Sequence, residues 1–348
     1  MTYQQILALD AMGGDFGPSV TIPGAAEALE NLKDTKFLIF GDEKEIIPHL
    51  NNHENLRKHS EIHHTDITIS STDKPSTALR NGKGSSMRLA IEAVKDGTAQ
   101  AVISAGNTGA LMATSKMLLK CLPGITRPAI ASVMPNVKGN SVVLDLGANL
   151  ACDAEVLTQF AVLGSVYARV VKGISAPTVG LLNVGTEEMK GHEEIRAASS
   201  ILSSVKFPGQ YIGFIEGDDI TKGTVDVVVT DGFTGNVALK TAEGVGQMTK
   251  EFLTDAFKSS PFALLGYLLA RNAIQRMKDK VDPRKYNGGM FLGLNGVCVK
   301  SHGGSNVEGT KNAILVAANL VQNNFNSRVA TEIEELMSQE SFVSAVGV

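Results

Sequence analysis

The sequence predicts an α/β protein built on a mostly parallel sheet covered on both faces, and three observations carry that prediction. Short apolar runs rich in Val, Ile and Leu alternate with stretches of helical period. Many of the 35 glycines stand in polar turns that follow those runs. The 348-residue chain, 43% hydrophobic and 20% charged, is long and apolar enough to bury a large core.

Ile6 to Ala11 follows Met1–Gln5 without the basic stretch and longer apolar core of a signal peptide, so it reads as an opening strand. It closes in Asp10-Ala11-Met12-Gly13-Gly14-Asp15, and Phe37 to Phe40 forms a second strand. Arg80-Asn81-Gly82-Lys83-Gly84-Ser85-Ser86-Met87-Arg88 then sets three cations among Gly and Ser ahead of a helix. Such a stretch suits phosphate or an acidic partner; the alternative is a solvated basic turn. Ala101 to Ser104 runs into Ser104-Ala105-Gly106-Asn107-Thr108-Gly109-Ala110, where a strand stops and a helix starts. Free N–H groups and the positive helix end face an anion there, which makes Ser104, Gly106, Asn107, Thr108 and Gly109 the candidate phosphate-binding set. An ordinary N-cap accounts for Asn107 or Thr108 alone equally well.

Val142 to Leu146 ends in Asp145-Leu146-Gly147-Ala148-Asn149. Beyond it Val156, Phe160, Leu163, Tyr167 and Val170 recur at helical spacing, one core-facing stripe. Val179 to Asn183 ends in Asn183-Val184-Gly185-Thr186-Glu187, with Lys190 just after. That lysine either neutralises phosphate or a developing oxyanion, or is a plain surface residue. Val225 to Thr230 ends in Asp231-Gly232-Phe233-Thr234-Gly235-Asn236. Ligands bind outside the carboxyl ends of strands in open α/β sheets, so these loops are expected to converge on one pocket. With no linker or repeat, residues 1–348 read as one domain. A protruding apolar helical segment is expected at about 251–282, where Pro261 to Ala270 is followed by Arg271, Arg276, Lys278 and Lys280.

Absences narrow the chemistry. A net charge of −4 with mixed signs offers no broad cationic field for nucleic acid. Cys121, Cys152 and Cys298 lie outside any C-x-x-C pattern, which fits a reducing cytoplasm, and no Cys/His cluster has metal-ligand spacing. No apolar run is expected to cross a bilayer, which takes roughly 20 residues. The phosphate loop of nucleotide-binding proteins, G-x-G-x-x-G after a strand, and G-x-S-x-G are all missing.

The order of motifs resembles the phosphate acyltransferase family of bacterial phospholipid synthesis (PlsX) across nearly the whole chain. The resemblance rests on D-A-M-G-G-D at Asp10 to Asp15, S-A-G-N-T-G-A at Ser104 to Ala110, and R-P-A at Arg127 to Ala129. It continues in D-L-G-A-N at Asp145 to Asn149, L-L-N-V-G-T-E at Leu181 to Glu187, and K-G at Lys190 and Gly191. D-V-V-V-T-D-G-F-T-G-N at Asp226 to Asn236, Gly288-Gly289, and Val299-Lys300-Ser301-His302-Gly303 complete it. Where many relatives carry an acidic residue two positions after the Asn of D-x-G-A-N, this chain has Ala151.

The resemblance implies a Rossmann-like α/β/α homodimer, similar to phosphotransacetylase and isocitrate-dehydrogenase-like folds. It implies transfer of a long fatty acyl group from acyl-[acyl-carrier-protein] to inorganic phosphate, giving acyl phosphate without a covalent acyl-enzyme or a cofactor. Expected roles are a phosphate cradle at Ser104 to Gly109, charge neutralisation by Lys190, an oxyanion contact from Asn236, and proton handling by Asp231 and His302. A cytoplasmic enzyme peripherally bound to the inner membrane surface, beside a downstream glycerol-phosphate acyltransferase, is the expected setting. A phosphotransacetylase using short acyl-CoA and a non-catalytic membrane scaffold are the alternatives.

Overall fold

The computed structural model describes residues 5–281, 288–340 and 342. The chain opens with β1 (Gln5–Asp10), α1 (Pro18–Leu29), β2 (Thr35–Gly41), α2 (Glu43–Leu50), α3 (Glu54–Lys58) and β3 (Ser60–His64). It continues through α4 (Pro75–Asn81), α5 (Ser86–Lys95), β4 (Ala101–Ser104), α6 (Thr108–Leu119), β5 (Ala129–Asn136) and β6 (Gly139–Leu144). Next come α7 (Ala154–Lys172), β7 (Thr178–Leu182), α8 (Glu193–Ser204), β8 (Gln210–Ile215), α9 (Gly217–Lys222) and β9 (Val227–Val229). Two long helices follow, α10 (Gly232–Lys258) and α11 (Pro261–Val281), then β10 (Gly289–Leu292), β11 (Val297–Lys300), α12 (Val307–Gln322) and α13 (Phe325–Met337).

The strands form one sheet in the order β3-β2-β1-β4-β11-β10-β5-β6-β9-β7-β8. Alternate residues of the central strands enter different cores, as the two-residue period of a strand requires. Leu7, Leu9, Phe37, Ile39, Val142, Leu144, Val227 and Val229 share one cluster with α1, α7, α12 and α13. Ala8, Leu38, Phe40 and Val102 face α5 and α6 on the other side. Val143, Leu182 and Val228 do the same beside α9. Burial on both faces is why these strands read as unbroken apolar runs in the sequence.

Pairing is parallel through most of the sheet and antiparallel at β11–β10, β10–β5 and β5–β6. Three successive reversals leave β6, β9, β7 and β8 running opposite to β3, β2, β1, β4 and β11. The carboxyl ends of the two parallel halves therefore point to opposite edges of the sheet. That direction change decides where every ligand-side loop lies.

The six runs read as strands from sequence are β1, β2, β4, β6, β7 and β9, although Ala11, Asp145, Leu146, Asn183, Val225, Asp226 and Thr230 lie outside the strands. Helix α7 is not a one-striped helix. It is buried from Val156 through Ala168, because α8, α12 and α13 cover the sides that the sheet does not. The expectation that no apolar run reaches bilayer length is also corrected: α7 has the length and hydropathy to cross a membrane. Its apolar surface lies in the core, where most of the helix is buried.

Helices α10 and α11 pack against each other, with the Phe257 and Tyr267 rings 5.4 Å apart. Their apolar side chains stay open. Phe252 is 66% exposed, Phe262 86% and Leu269 83%. Arg271 and Arg276 are exposed on α11, while the side chains of Lys278 and Lys280, and residue 282, lie outside the described residues.

Candidate functional site

At the first edge the loops after β1, β4 and β11 close on one another. Asp10, the last residue of β1, is buried, and its carboxylate accepts from Ser86 Oγ at 2.7 Å and Ser104 Oγ at 2.6 Å. Ser104 Oγ also accepts from Gly106 N at 3.0 Å. Burial pushes the Asp10 carboxyl up from its ordinary value, against the opposing pull of the two hydroxyls and of Lys300. Lys300, at the end of β11, donates from Nζ to the carbonyls of Ala105, at 3.1 Å, and of Ser301. Burial lowers its pKa to about 8, while Asp10 and Asp15 pull the other way.

Two glycines permit this closeness. A Cβ on Gly13 would come within 2.6 Å of Gly106 N, and Gly14 has φ 87°. Asp15 N donates to Gly303 O at 2.9 Å, which joins the third loop to the first. His302 is exposed in that third loop, where its Nδ1 accepts from Gly304 N at 3.2 Å.

Asn107 caps α6. Its Oδ1 accepts from Ala110 N at 3.0 Å, and its Nδ2 donates to the carbonyls of Ser71 and Asp73, each at 2.9 Å. The side chains of Ser104 and Asn107 are thus committed within the protein, and the capping alternative holds for Asn107. What faces outward at this helix start is the backbone N–H of Thr108 and Gly109, the exposed Thr108 side chain, and the positive end of α6. Lys300 Nζ rests on the Ala105 carbonyl of the same loop. Together these groups suit a small oxyanion.

The second edge holds the loops after β6, β7 and β9. Asp145 is wholly buried and accepts from Ile130 N at 2.9 Å, Ala148 N at 3.0 Å, Asn149 N at 2.7 Å and Asn149 Nδ2 at 2.9 Å. Burial raises its pKa and these donors oppose the rise. A Cβ on Gly235 would collide with the Asp145 carbonyl oxygen, so α10 can start here only with glycine at that place. Asp231 is the N-cap of α10, its two oxygens taken by Thr234 N at 2.8 Å and Thr234 Oγ1 at 2.9 Å. That cap role occupies the carboxylate proposed for proton handling. Asn236 is exposed one turn along, its side chain alongside Gly147. Lys190 is exposed, held through its backbone by Asn183 Nδ2 at 3.1 Å, and has no carboxylate at ion-pair distance among the described residues. Arg127 reaches the Ala151 carbonyl at 3.2 Å from the same side.

The expected single pocket is therefore corrected. Ser104, Gly106, Asn107, Thr108, Gly109 and His302 gather at one edge, while Lys190, Asp231 and Asn236 gather at the other. Five inter-strand steps separate β4 from β9, roughly 24 Å at the usual strand spacing. Within each half the loops gather at the carboxyl ends of the strands, but the halves run in opposite directions. Sequence reading also passed over Asp10, Ser86 and Lys300 as site residues. The available signal was a charged residue closing an apolar run, Leu9-Asp10 and Val299-Lys300.

None of the cysteines is poised as a nucleophile. Burial pushes the thiols of Cys152 and Cys298 to about 12, with Asp145 and Asp231 adding to the rise at Cys152. Among the described residues no group of three or more His, Cys, Asp or Glu side chains could hold a metal ion.

The fold is shared with solved phosphotransacetylases. The enzyme from Streptococcus pyogenes superposes with a TM-score of 0.62 at 16% identity, covering 92% of this chain and 94% of that one. EutD phosphotransacetylase from Staphylococcus aureus gives 0.58 at 17% identity, covering 91% and 94%. In sequence, the phosphate acyltransferase of Rhodospirillum centenum is 54% identical over 97% of this chain and 95% of its own length. That of Rhodospirillum rubrum is 50% identical over 99% of both. The family model described as "Fatty acid synthesis protein" matches residues 6–328. A match of that extent, joined to full-length relatives at half identity or better, means that the chain belongs to the fatty acid synthesis protein family, alongside phosphate acyltransferases.

Proposed function

We propose that this chain transfers a long fatty acyl group from an acyl carrier protein thioester to inorganic phosphate and releases acyl phosphate. The observation that carries the reading is full-length similarity to phosphate acyltransferases. The first-edge cradle supplies matching chemistry. Phosphate sits against the N–H groups of Thr108 and Gly109 at the positive end of α6, with the Lys300 charge behind it. A phosphate oxygen attacks the thioester carbonyl carbon, a tetrahedral oxyanion forms, and the carbon–sulfur bond breaks as the carrier thiolate leaves. No cofactor enters this scheme.

Lys190 and Asn236 contribute to the oxyanion only if they meet the cradle. In one chain they do not, so the reading includes a homodimer in which the second edge of one copy faces the first edge of its partner. Co-expressing a Thr108→Pro chain, which loses the cradle N–H of that residue at a helix position that tolerates proline, with a Lys190→Ala chain tests this. An intact site in mixed dimers restores about one quarter of wild-type activity on statistical grounds; no recovery removes Lys190 from a shared site.

The exposed leucines and Phe262 of α11 support peripheral membrane contact beside the glycerol-phosphate acyltransferase that would take up acyl phosphate. Leu264→Glu with Leu268→Glu should abolish sedimentation with anionic vesicles and leave dimer mass and turnover intact. For the activity itself, the purified protein is given acyl-carrier thioester with and without phosphate, beside acetyl-CoA. Acyl phosphate formed only from the carrier donor with phosphate is the expected result. Turnover of acetyl-CoA alone makes it a phosphotransacetylase, and no turnover of either makes it a scaffold.

A further inference from the structure

From Lys74 to Ile91 the chain carries Lys74, Arg80, Lys83 and Arg88 and no acidic residue, in a protein whose net charge is −4. Arg88 is neutralised by Glu92 at 2.9 Å. Lys74, Arg80 and Lys83 are exposed, and none has a carboxylate at ion-pair distance among the described residues. Two exposed lysines elsewhere do find partners, Lys222 at 2.6 Å from Asp218 and Lys240 at 2.6 Å from Glu243. Three uncompensated like charges on one short stretch repel one another, so nothing in the fold itself accounts for them.

The stretch is also fixed beside the cradle. Asn107 Nδ2 holds the carbonyls of Ser71 and Asp73 at its start. The Pro75 ring packs on Gly109, where a Cβ would come within 2.8 Å of it. Thr65 Oγ1 donates to the Gly84 carbonyl at 2.7 Å, and Ser86 reaches Asp10. The cations therefore stand at a set distance from the Thr108 and Gly109 N–H groups. The exposed neighbours Ser71, Thr72, Ser76 and Asn81 are polar, so the surface has little to insert into a lipid layer. Charges spread over a helix and the loop after it are also too dispersed to grip one free phosphate. They match an extended acidic surface.

We infer that Lys74, Arg80 and Lys83 form the docking face for the acidic side of the carrier protein, placing the thioester arm at the mouth of the cradle. This rests on the carrier-donor reading above. The test compares the wild type with the Lys74→Glu/Arg80→Glu/Lys83→Glu protein on two donors, the carrier-borne acyl thioester and the same acyl group on free pantetheine. At low salt kcat/KM for the carrier-borne donor is expected to fall about tenfold or more, mainly in KM, with its salt dependence flattened. Activity on acyl-pantetheine stays unchanged, which also certifies the fold. The single Lys83→Glu change gives part of the same loss.

An equal loss on both donors, or no loss on either, overturns the docking face. So does retention of carrier kinetics with loss of binding to anionic vesicles, which would make the patch a lipid contact. A wild type that never uses the carrier-borne donor defeats the functional reading itself; a wild type that uses it while the triple variant matches it defeats only the docking face.

Discussion

The two edges of the sheet use the same opening and diverge in what surrounds it. In each, a buried aspartate stands at the carboxyl end of a strand, Asp10 as the last residue of β1 and Asp145 just past β6, with glycine and then a helix after it. Asp10 takes side-chain hydrogen bonds from the hydroxyls of Ser86 and Ser104, beside one main-chain bond from Met12, and feels the Lys300 charge. Three of the four donors to Asp145 are main-chain amides. Hydroxyls and an ammonium group can rotate or change protonation when a ligand arrives, whereas amide N–H groups only fix a loop. The first aspartate therefore organises a responsive network and the second a rigid support. The second edge's responsive groups, Lys190 and Asn236, stand exposed on top of that support.

The sharpest separation of support from chemistry is at Lys190. Lys190→Ala should lower acyl phosphate formation on the order of a hundredfold or more, while the urea midpoint stays at the wild-type value because the side chain is exposed. Near-normal turnover would strip the second edge of its chemical role and leave it a scaffold.

Asp145→Asn sets an amide NH2 among N–H donors and should cost about 3 kcal/mol of stability. Ser86→Ala at the other edge, which leaves Asp10 its Ser104 bond, should cost about 1 kcal/mol. Denaturant unfolding of both variants checks the contrast, and equal losses would erase it.

A smaller effect separates the edges by pH. Lys300 has a folded pKa of about 8 against an ordinary 10.5, so charging it inside the fold is unfavourable. Between those values the unfolded chain holds a proton that the folded chain has released. The contribution of this residue to stability therefore rises with pH across that window and is at its most unfavourable below about 8. Its charge moves the other way for binding, and KM for phosphate should climb severalfold as pH passes about 8. Lys300→Met should show the high KM already at neutral pH and lose that inflection.

The least disturbance is expected from the cysteines. Because burial keeps the Cys152 and Cys298 thiols protonated at neutral pH, replacing all three cysteines with Ala should leave turnover within about twofold of wild type. A folded but inactive triple variant would restore a covalent acyl-thiol route.

Much of the fold is legible in the sequence alone. The apolar runs at β1, β2, β4, β6, β7 and β9 announced themselves because a strand buried on both faces must be apolar at successive residues. Edge strands β3 and β8 are half exposed and carry polar residues, and Pro135 interrupts β5, so none of these gave a clear run. The turn chemistry of Ser104 to Gly109 and of Asp231 to Asn236 was equally local, since a cap and a glycine act within a few residues. Strand direction is not local. Two of the three reversals, β5 with β6 and β10 with β11, are local pairings, but the third, β10 against β5, joins residues more than a hundred positions apart, such as Met290 with Ala131, and fixes how the two halves meet. The sequence by itself thus determined the strands buried on both faces and the glycine-containing turns that follow them. Only tertiary structure decided that those turns divide between two edges, because the direction of each strand depends on the neighbour it pairs with.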